Sequence, residues 1–155
     1  MLLEYLTLPQ IPKELILPKD LILKQPLITS RERQDEIFYQ TYEVNLELNQ
    51  WLRKHIPYLV GKGMYQLIYA SLPIHRDFGA NQTQMSTAIN YIVDTGGRNV
   101  IISMYAEDHN SVQDIRLAQD RWHKLAANHL HSVKNVSRPR IMVRLFTLFK
   151  YKDIV

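Results

Sequence analysis

Ser71-Leu72-Pro73-Ile74-His75-Arg76-Asp77-Phe78-Gly79 is the stretch on which the reading of this chain turns. In an extended segment successive side chains point to opposite faces. His75 and Asp77, two positions apart, therefore share a side and offer an imidazole and a carboxylate to one point in space. A second stretch, Leu130-His131-Ser132-Val133-Lys134-Asn135-Val136-Ser137-Arg138-Pro139-Arg140, adds an imidazole at the head of an apolar, strand-like run. His75, Asp77 and His131 together make a two-imidazole, one-carboxylate donor set. That set matches the facial arrangement that holds a non-haem iron and leaves three coordination positions open. His123 and His129 compete for the third place, and His131 is favoured because it precedes the strand and turn that lead to Arg140.

The same alternation applied to Arg140-Ile141-Met142-Val143-Arg144-Leu145-Phe146 puts Arg140, Met142, Arg144 and Phe146 on one face. Two guanidinium groups on an otherwise apolar strand are costly unless that face lines a polar cavity. A planar guanidinium there matches a carboxylate bidentately. The expectation is a cavity that pairs a metal with an anion-binding arginine.

Outward from these two stretches, the N-terminal 28 residues alternate leucine-rich triplets with prolines at 9, 12, 18 and 26. Proline fixes φ and removes a ladder donor, so residues 1–28 read as short extended pieces, edge strands or a strap over the body. Thr29 and Glu32 form a T-x-x-E capping box, and Ile37, Thr41, Val44, Leu48 and Trp51 follow in a 4-3-4-3 rhythm. This predicts a packing helix over 29–54, ended by Pro57, Gly61 and Gly63. Residues 58–149 then read as a series of short strands: 64–72, 87–93, 99–105, 121–125, 130–136 and 140–149. The turn at Asp94-Thr95-Gly96-Gly97 joins two of them as a hairpin, and polar residues 107–120 form a short helix or an excursion. Strands at this spacing, with no internal repeat, argue for a sandwich or barrel within a single domain over 1–155, mainly β with a flanking helix. Trp51 and Trp122 read as core residues.

The composition is that of an ordinary globular chain of 155 residues, 46% hydrophobic and 22% charged. No apolar run approaches the roughly 20 residues that cross a bilayer. The N-terminal leucines, interrupted by Glu4, Pro9, Pro12 and Lys13, do not form a signal peptide, so the cytoplasm is the expected setting. Without cysteine there is neither a disulfide framework nor a thiolate metal site, so any metal is held by His, Asp or Glu. A net charge of +4, interleaved with apolar residues, permits nucleic-acid binding without indicating it.

The order strand, His75-Arg76-Asp77, hairpin, strand, His131, turn, Arg140 at the head of the last strand resembles the 2-oxoglutarate- and Fe(II)-dependent oxygenase superfamily. The resemblance covers roughly residues 58–149, and the wording around His131 is similar to aspartyl-hydroxylase-like and small phage-type members. It implies a double-stranded β-helix, a cupin-like jelly roll. It further implies Fe(II) bound by His75, Asp77 and His131, and 2-oxoglutarate as cosubstrate with its distal carboxylate on Arg140. Arg144 would assist or meet an anionic substrate, and Tyr69 and Asn90 would form pocket wall. The implied reaction couples oxidative decarboxylation of 2-oxoglutarate to C–H oxidation of a small molecule or protein side chain. Two other readings stand beside it. One is a cupin-like metal protein that makes no use of 2-oxoglutarate; the other is an accessory protein that lays its basic strand face on nucleic acid.

Overall fold

Strand and turn chemistry organises the chain from its first residues. The computed structural model describes residues 1–77 and 87–155, so Phe78 and Gly79 of the organising stretch lie outside the described residues. In chain order come β1 (Leu3–Leu6), a single 3-10 turn at Lys13–Leu15, α1 (Lys19–Ile22), β2 (Leu27–Arg33), β3 (Glu36–Glu43) and α2 (Leu46–His55). These are followed by β4 (Met64–Ile68), β5 (Leu72–His75), β6 (Thr87–Asp94), β7 (Ile101–Tyr105), β8 (Ser111–Ile115), β9 (Trp122–Ala126), β10 (His131–Lys134) and β11 (Arg140–Thr147). A seven-stranded sheet in the order β1-β9-β6-β11-β4-β3-β2 faces a four-stranded sheet in the order β5-β10-β7-β8. The pairings are antiparallel, and the architecture is the double-stranded β-helix expected from the sequence.

The period of two along each strand gives the large sheet two distinct faces. Tyr65, Leu67, Tyr91, Val143 and Leu145 point outward. They are covered by Ile11 and Ile22 of the N-terminal segment and by Leu48 and Leu52 of α2. Ile68, Ala88, Ile92, Leu125 and Met142 point inward, toward Ile102 and Met104 of the small sheet. Trp122 belongs to the outer core, as expected, and its indole N–H donates to the Pro9 carbonyl at 2.9 Å. Among the described residues no helix is long and apolar enough to cross a membrane.

Three expectations about local structure are corrected. The helix expected over 29–54 is instead the β2–β3 hairpin followed by the ten-residue α2. Thr29 and Glu32, the supposed capping box, are strand residues. The run from Ile37 to Val44 is dense in β-branched and aromatic residues that suit a strand better than a helix. The hairpin turn escaped notice because it is Gln34-Asp35, both at positive φ (51° and 64°), where Asn-Gly is the usual signal. Second, the stretch 64–72 is two strands in different sheets, β4 and β5, with Tyr69–Ser71 as the crossover. Third, β6 and β7 are not hairpin partners: the turn at Gly96 and Gly97 carries the chain from the large sheet to the small one, where β7 pairs with β8 and β10. The polar excursion supplies β8, and the N-terminal strap supplies β1, the strand that closes one edge of the large sheet against β9.

The left-handed backbone at Gln34 and Asp35 carries a steric cost that glycine and asparagine avoid. Replacing the pair by Asn-Gly is expected to raise stability by about 0.5–1 kcal/mol. Urea denaturation curves of the two proteins measure it as a higher midpoint with an unchanged slope.

Candidate metal centre and anion cavity

The site begins with a strand pairing. β5 and β10 lie antiparallel with His75 directly opposite His131, which brings the two ring centroids to 4.4 Å. Asp77, two residues past His75, is held by its backbone N–H on the Ala127 carbonyl at 3.1 Å. Between them Arg76 reaches away to two connections: Nη1 donates to the Asn128 carbonyl, between β9 and β10, at 3.1 Å, and Nη2 to both oxygens of Glu107, between β7 and β8. The alternation of one strand thus aims two groups at a shared point and uses the residue between them as a clip.

Hydrogen bonding fixes the chemistry at that point. A backbone carbonyl can only accept, so the contacts of His75 Nδ1 to the Pro73 carbonyl (2.6 Å) and His131 Nδ1 to the His129 carbonyl (2.7 Å) place a proton on each Nδ1. Each ring is then left with Nε2, a lone pair whenever the ring is neutral, and both Nε2 atoms face Oδ1 of Asp77, at 3.2 and 3.0 Å. Three lone pairs pointing at one another are reconciled only by protons or by a cation. The ligand atoms of His75, Asp77 and His131 all lie within 4.8 Å of one another. The donor set therefore fits a divalent cation, and its imidazole and carboxylate composition suits non-haem Fe(II).

Arg144 completes the surroundings of the carboxylate. Its Nη2 donates to Asp77 Oδ2 and its Nη1 to Gln66 Oε1 at 3.1 Å, so one Asp77 oxygen is turned to the imidazoles and the other to the guanidinium. Burial alone would raise the Asp77 pKa. The Arg144 charge and the hydrogen bonds from His131 and His75 outweigh it and hold the carboxyl well below its usual range. Burial likewise pulls His75 down, but its hydrogen bond to Asp77, the Pro73 carbonyl and the Asp77 charge together leave it raised above 6.5.

Beside this centre, between the sheets, lies a cavity of about 230 Å³. Its lining includes three guanidinium groups (Arg31, Arg140, Arg144) and three imidazoles, against Asp77 as the only carboxylate among the described lining residues. Arg140 sits on the same face of β11 as Arg144, about 13 Å of strand away at the usual rise of about 3.3 Å per residue. It is 1% exposed, and neither Nε nor Nη2 has a hydrogen-bond partner among the described residues. Burial lowers its pKa to about 10, partly offset by Tyr5, which leaves it a cation at neutral pH. The turn beneath it requires glycine: Gly96 has φ +82°, and a Cβ there would stand 2.8 Å from the Arg140 Cβ.

The residues singled out in the sequence divide accordingly. His75, Asp77 and His131 converge, and Arg140, Arg144 and Asn90 line the cavity with Met142 and Phe146. Both terminal nitrogens of Arg144 are engaged, by Asp77 and Gln66, and only its Nε lacks a partner among the described residues, whereas Arg140 has Nε and Nη2 unpartnered. Tyr69 does not line the cavity: it ends the outer face of the large sheet, its hydroxyl on Gln40 at 3.1 Å, because the chain leaves that sheet before reaching His75. His129 is exposed and contributes only its carbonyl. Gln66 and Arg31 have no place in the sequence reading, and His123, a rival there for the third metal position, lines the cavity apart from the ligand cluster. Gln66 and His123 are polar residues in the inward register of apolar strands, Gln66 between Met64 and Ile68, and that pattern was their signal. The basic face proposed for nucleic acid is interior, with Arg140 and Arg144 1% and 5% exposed.

No protein-family model matches this sequence, and no curated protein sequence matches it. Solved structures do. An oxidoreductase of the 2OG-Fe(II) oxygenase family from Burkholderia pseudomallei superimposes with a TM-score of 0.55 over 82% of this chain and 74% of its own, at 8% identity. Fe(II)-HppE with the alternative substrate (S)-1-HPP superimposes with a TM-score of 0.50 over 89% of this chain and 63% of its own, at 7% identity. The fold is therefore that of the double-stranded β-helix oxygenase structures.

Two measurements probe the centre. Calorimetric titration with Co(II) is expected to lose affinity by about 10–100-fold in Arg144→Met, which frees the carboxylate that Arg144 orients. In the wild type, affinity falls as pH drops through the region above 6.5, because the cation must displace a proton from His75, whose pKa is raised. In the metal-free protein the sign reverses. The raised imidazole stabilises the fold fully below the unfolded value and loses that contribution as pH rises through the folded one.

Proposed function

We propose that this protein is an Fe(II)- and 2-oxoglutarate-dependent oxygenase of hydroxylase type. Its reaction couples oxidative decarboxylation of the 2-oxo acid to C–H oxidation of a small molecule or a protein side chain. The observation that carries the reading is the joint presence, in one cavity, of three converging lone pairs and a buried guanidinium with unpartnered N–H groups. The first asks for a cation and the second for an anion.

In this reading His75, Asp77 and His131 hold the metal, which supplies the redox chemistry when bound together with its chelating 2-oxo acid. The chain's own tasks are positional. The Pro73 and His129 carbonyls fix both imidazole tautomers, and Arg144 keeps Asp77 ionised and oriented. Arg140 receives the remote carboxylate of the cosubstrate, while Leu72, Ile102 and Val133 line the cavity and exclude water. The substrate enters past Ile28, Thr29 and Arg31 of β2, a border whose one charge favours an anionic or polar group. Residues 1–155 act as one domain, in the cytoplasm.

Both neighbours are described with Fe(II), but only the Burkholderia protein is described as a 2OG enzyme. A cupin-like metal protein that does not use 2-oxoglutarate is thus the second reading, and Arg140 discriminates between them. Anaerobic addition of Fe(II) and 2-oxoglutarate is expected to produce a weak visible charge-transfer band that needs both. Arg140→Ala is expected to raise the 2-oxoglutarate Kd by about 100-fold through loss of a charge-assisted pair. Metal binding without any effect of 2-oxoglutarate favours the cupin-like reading, and succinate release from 2-oxoglutarate confirms turnover.

A further inference from the structure

One buried imidazole has no task in the reading given so far. His123 of β9 stands opposite Asn90 of β6, which in turn stands opposite Arg144 of β11. Its side chain lines the cavity at 1% exposure. Asn90 Nδ2 donates to His123 Nε2 at 3.2 Å, so Nε2 accepts and the ring proton resides on Nδ1. That Nδ1 has no partner among the described residues, and neither do Nε and Nη2 of Arg140. Buried polar atoms are paired in the great majority of cases, so these three N–H groups, with Nε of Arg144 as a fourth in the same cavity, mark a place where oxygen atoms belong.

The electrostatics keep the imidazole neutral. Burial, then the charges of Arg140 and Arg144, push His123 down to about 3. Arg140 in turn senses Tyr5, the register partner of His123 on β1, and the Arg140 and His123 side chains line the same cavity. A second cation here would be repelled by two guanidiniums; a neutral donor adds a hydrogen bond without that repulsion.

We propose that His123, oriented by Asn90, is a positioning residue that donates its Nδ1–H to the carboxylate held by Arg140. Resting on the oxygenase reading, the proposal identifies this carboxylate as the remote one of 2-oxoglutarate. The contact is selective for a second acid group on the 2-oxo acid and does not titrate across the neutral range.

The test compares 2-oxoglutarate with 2-oxopentanoate, which has the same carbon chain but lacks the remote carboxylate. Both are titrated anaerobically into the Fe(II)-loaded protein and into variants, with Co(II) affinity as the check that each variant is folded. His123→Leu is expected to raise the 2-oxoglutarate Kd about 10- to 100-fold, the range for losing a hydrogen bond to a charged group, and to leave 2-oxopentanoate within about twofold. His123→Asn keeps a donor at the Nδ1 position and is expected to recover most of the loss. Asn90→Ala, which releases the tautomer, is expected to cost several-fold for 2-oxoglutarate alone. In the Zn(II)-loaded protein, 2-oxoglutarate is expected to shift the His123 Nδ1–H proton resonance. Equal weakening of both ligands assigns His123 a packing role and overturns the proposal, as does no weakening of either. A wild-type protein that binds metal but no 2-oxoglutarate overturns the oxygenase reading as well, so the two failures are distinguishable.

Discussion

Two imidazole lone pairs and a carboxylate oxygen are held against one another, and the rest of the molecule is arranged so that they cannot turn away. Each Nδ1 is committed to a carbonyl of its own strand segment, and the second oxygen of Asp77 is committed to Arg144. Among the described residues these commitments leave Nε2 of each ring and Oδ1 of Asp77 facing one another. Such a concentration of like-acting groups is unfavourable by itself, and the Arg144 guanidinium supplies the countercharge without which the buried Asp77 carboxylate would cost several kcal/mol. It persists because β5, β10 and β11 are fixed by their own ladders and by the Arg76 clip.

The division of the large sheet into two faces explains how a polar interior is tolerated. The outer face buries Tyr65, Leu67, Tyr91, Val143 and Leu145 under the N-terminal segment and α2 and forms the main apolar core. Lys124, adjacent to His123 but on that outer side, is buried as well, and its ammonium is fully engaged by the Tyr151 and Ile154 carbonyls and Glu4. The inner face carries Gln66, Asn90, His123, Arg140 and Arg144, which no compact apolar core could absorb. The outer packing stabilises the sheet, and the inner face is left to chemistry.

The sequence disclosed the site better than it disclosed the framework. Period-two alternation is local, so His75 with Asp77, and Arg140 with Met142, Arg144 and Phe146, could be placed on common faces without knowledge of their neighbours. Sheet membership is not local. Nothing in Met64–Leu72 marks the point at which the chain leaves one sheet for the other, and Tyr69 was therefore put on the wrong side. Nor does anything in Asp94–Gly97 say whether a turn closes a hairpin or crosses between layers. The β2–β3 hairpin was misread for a different reason: its left-handed turn is made by residues that rarely serve there, while an accidental helical rhythm ran across it. In the sequence His123 is a rival metal ligand and nothing more, because its partner Asn90 and the cavity it shares with Arg140 follow from the adjacency of β6, β9 and β11, which no local pattern encodes.

The two ends of the cavity rest on very different support. His131 sits on β10, which is paired on both sides, and Arg76 clips the end of the edge strand β5 between His75 and Asp77, whereas the border formed by Ile28, Thr29 and Arg31 belongs to β2, which pairs with β3 alone. Substitutions there disturb one ladder at the rim and leave the ligand cluster untouched. Side chains on this strand can therefore change the shape and charge of the cavity mouth at small cost to folding, while the His75, Asp77 and His131 cluster keeps its geometry.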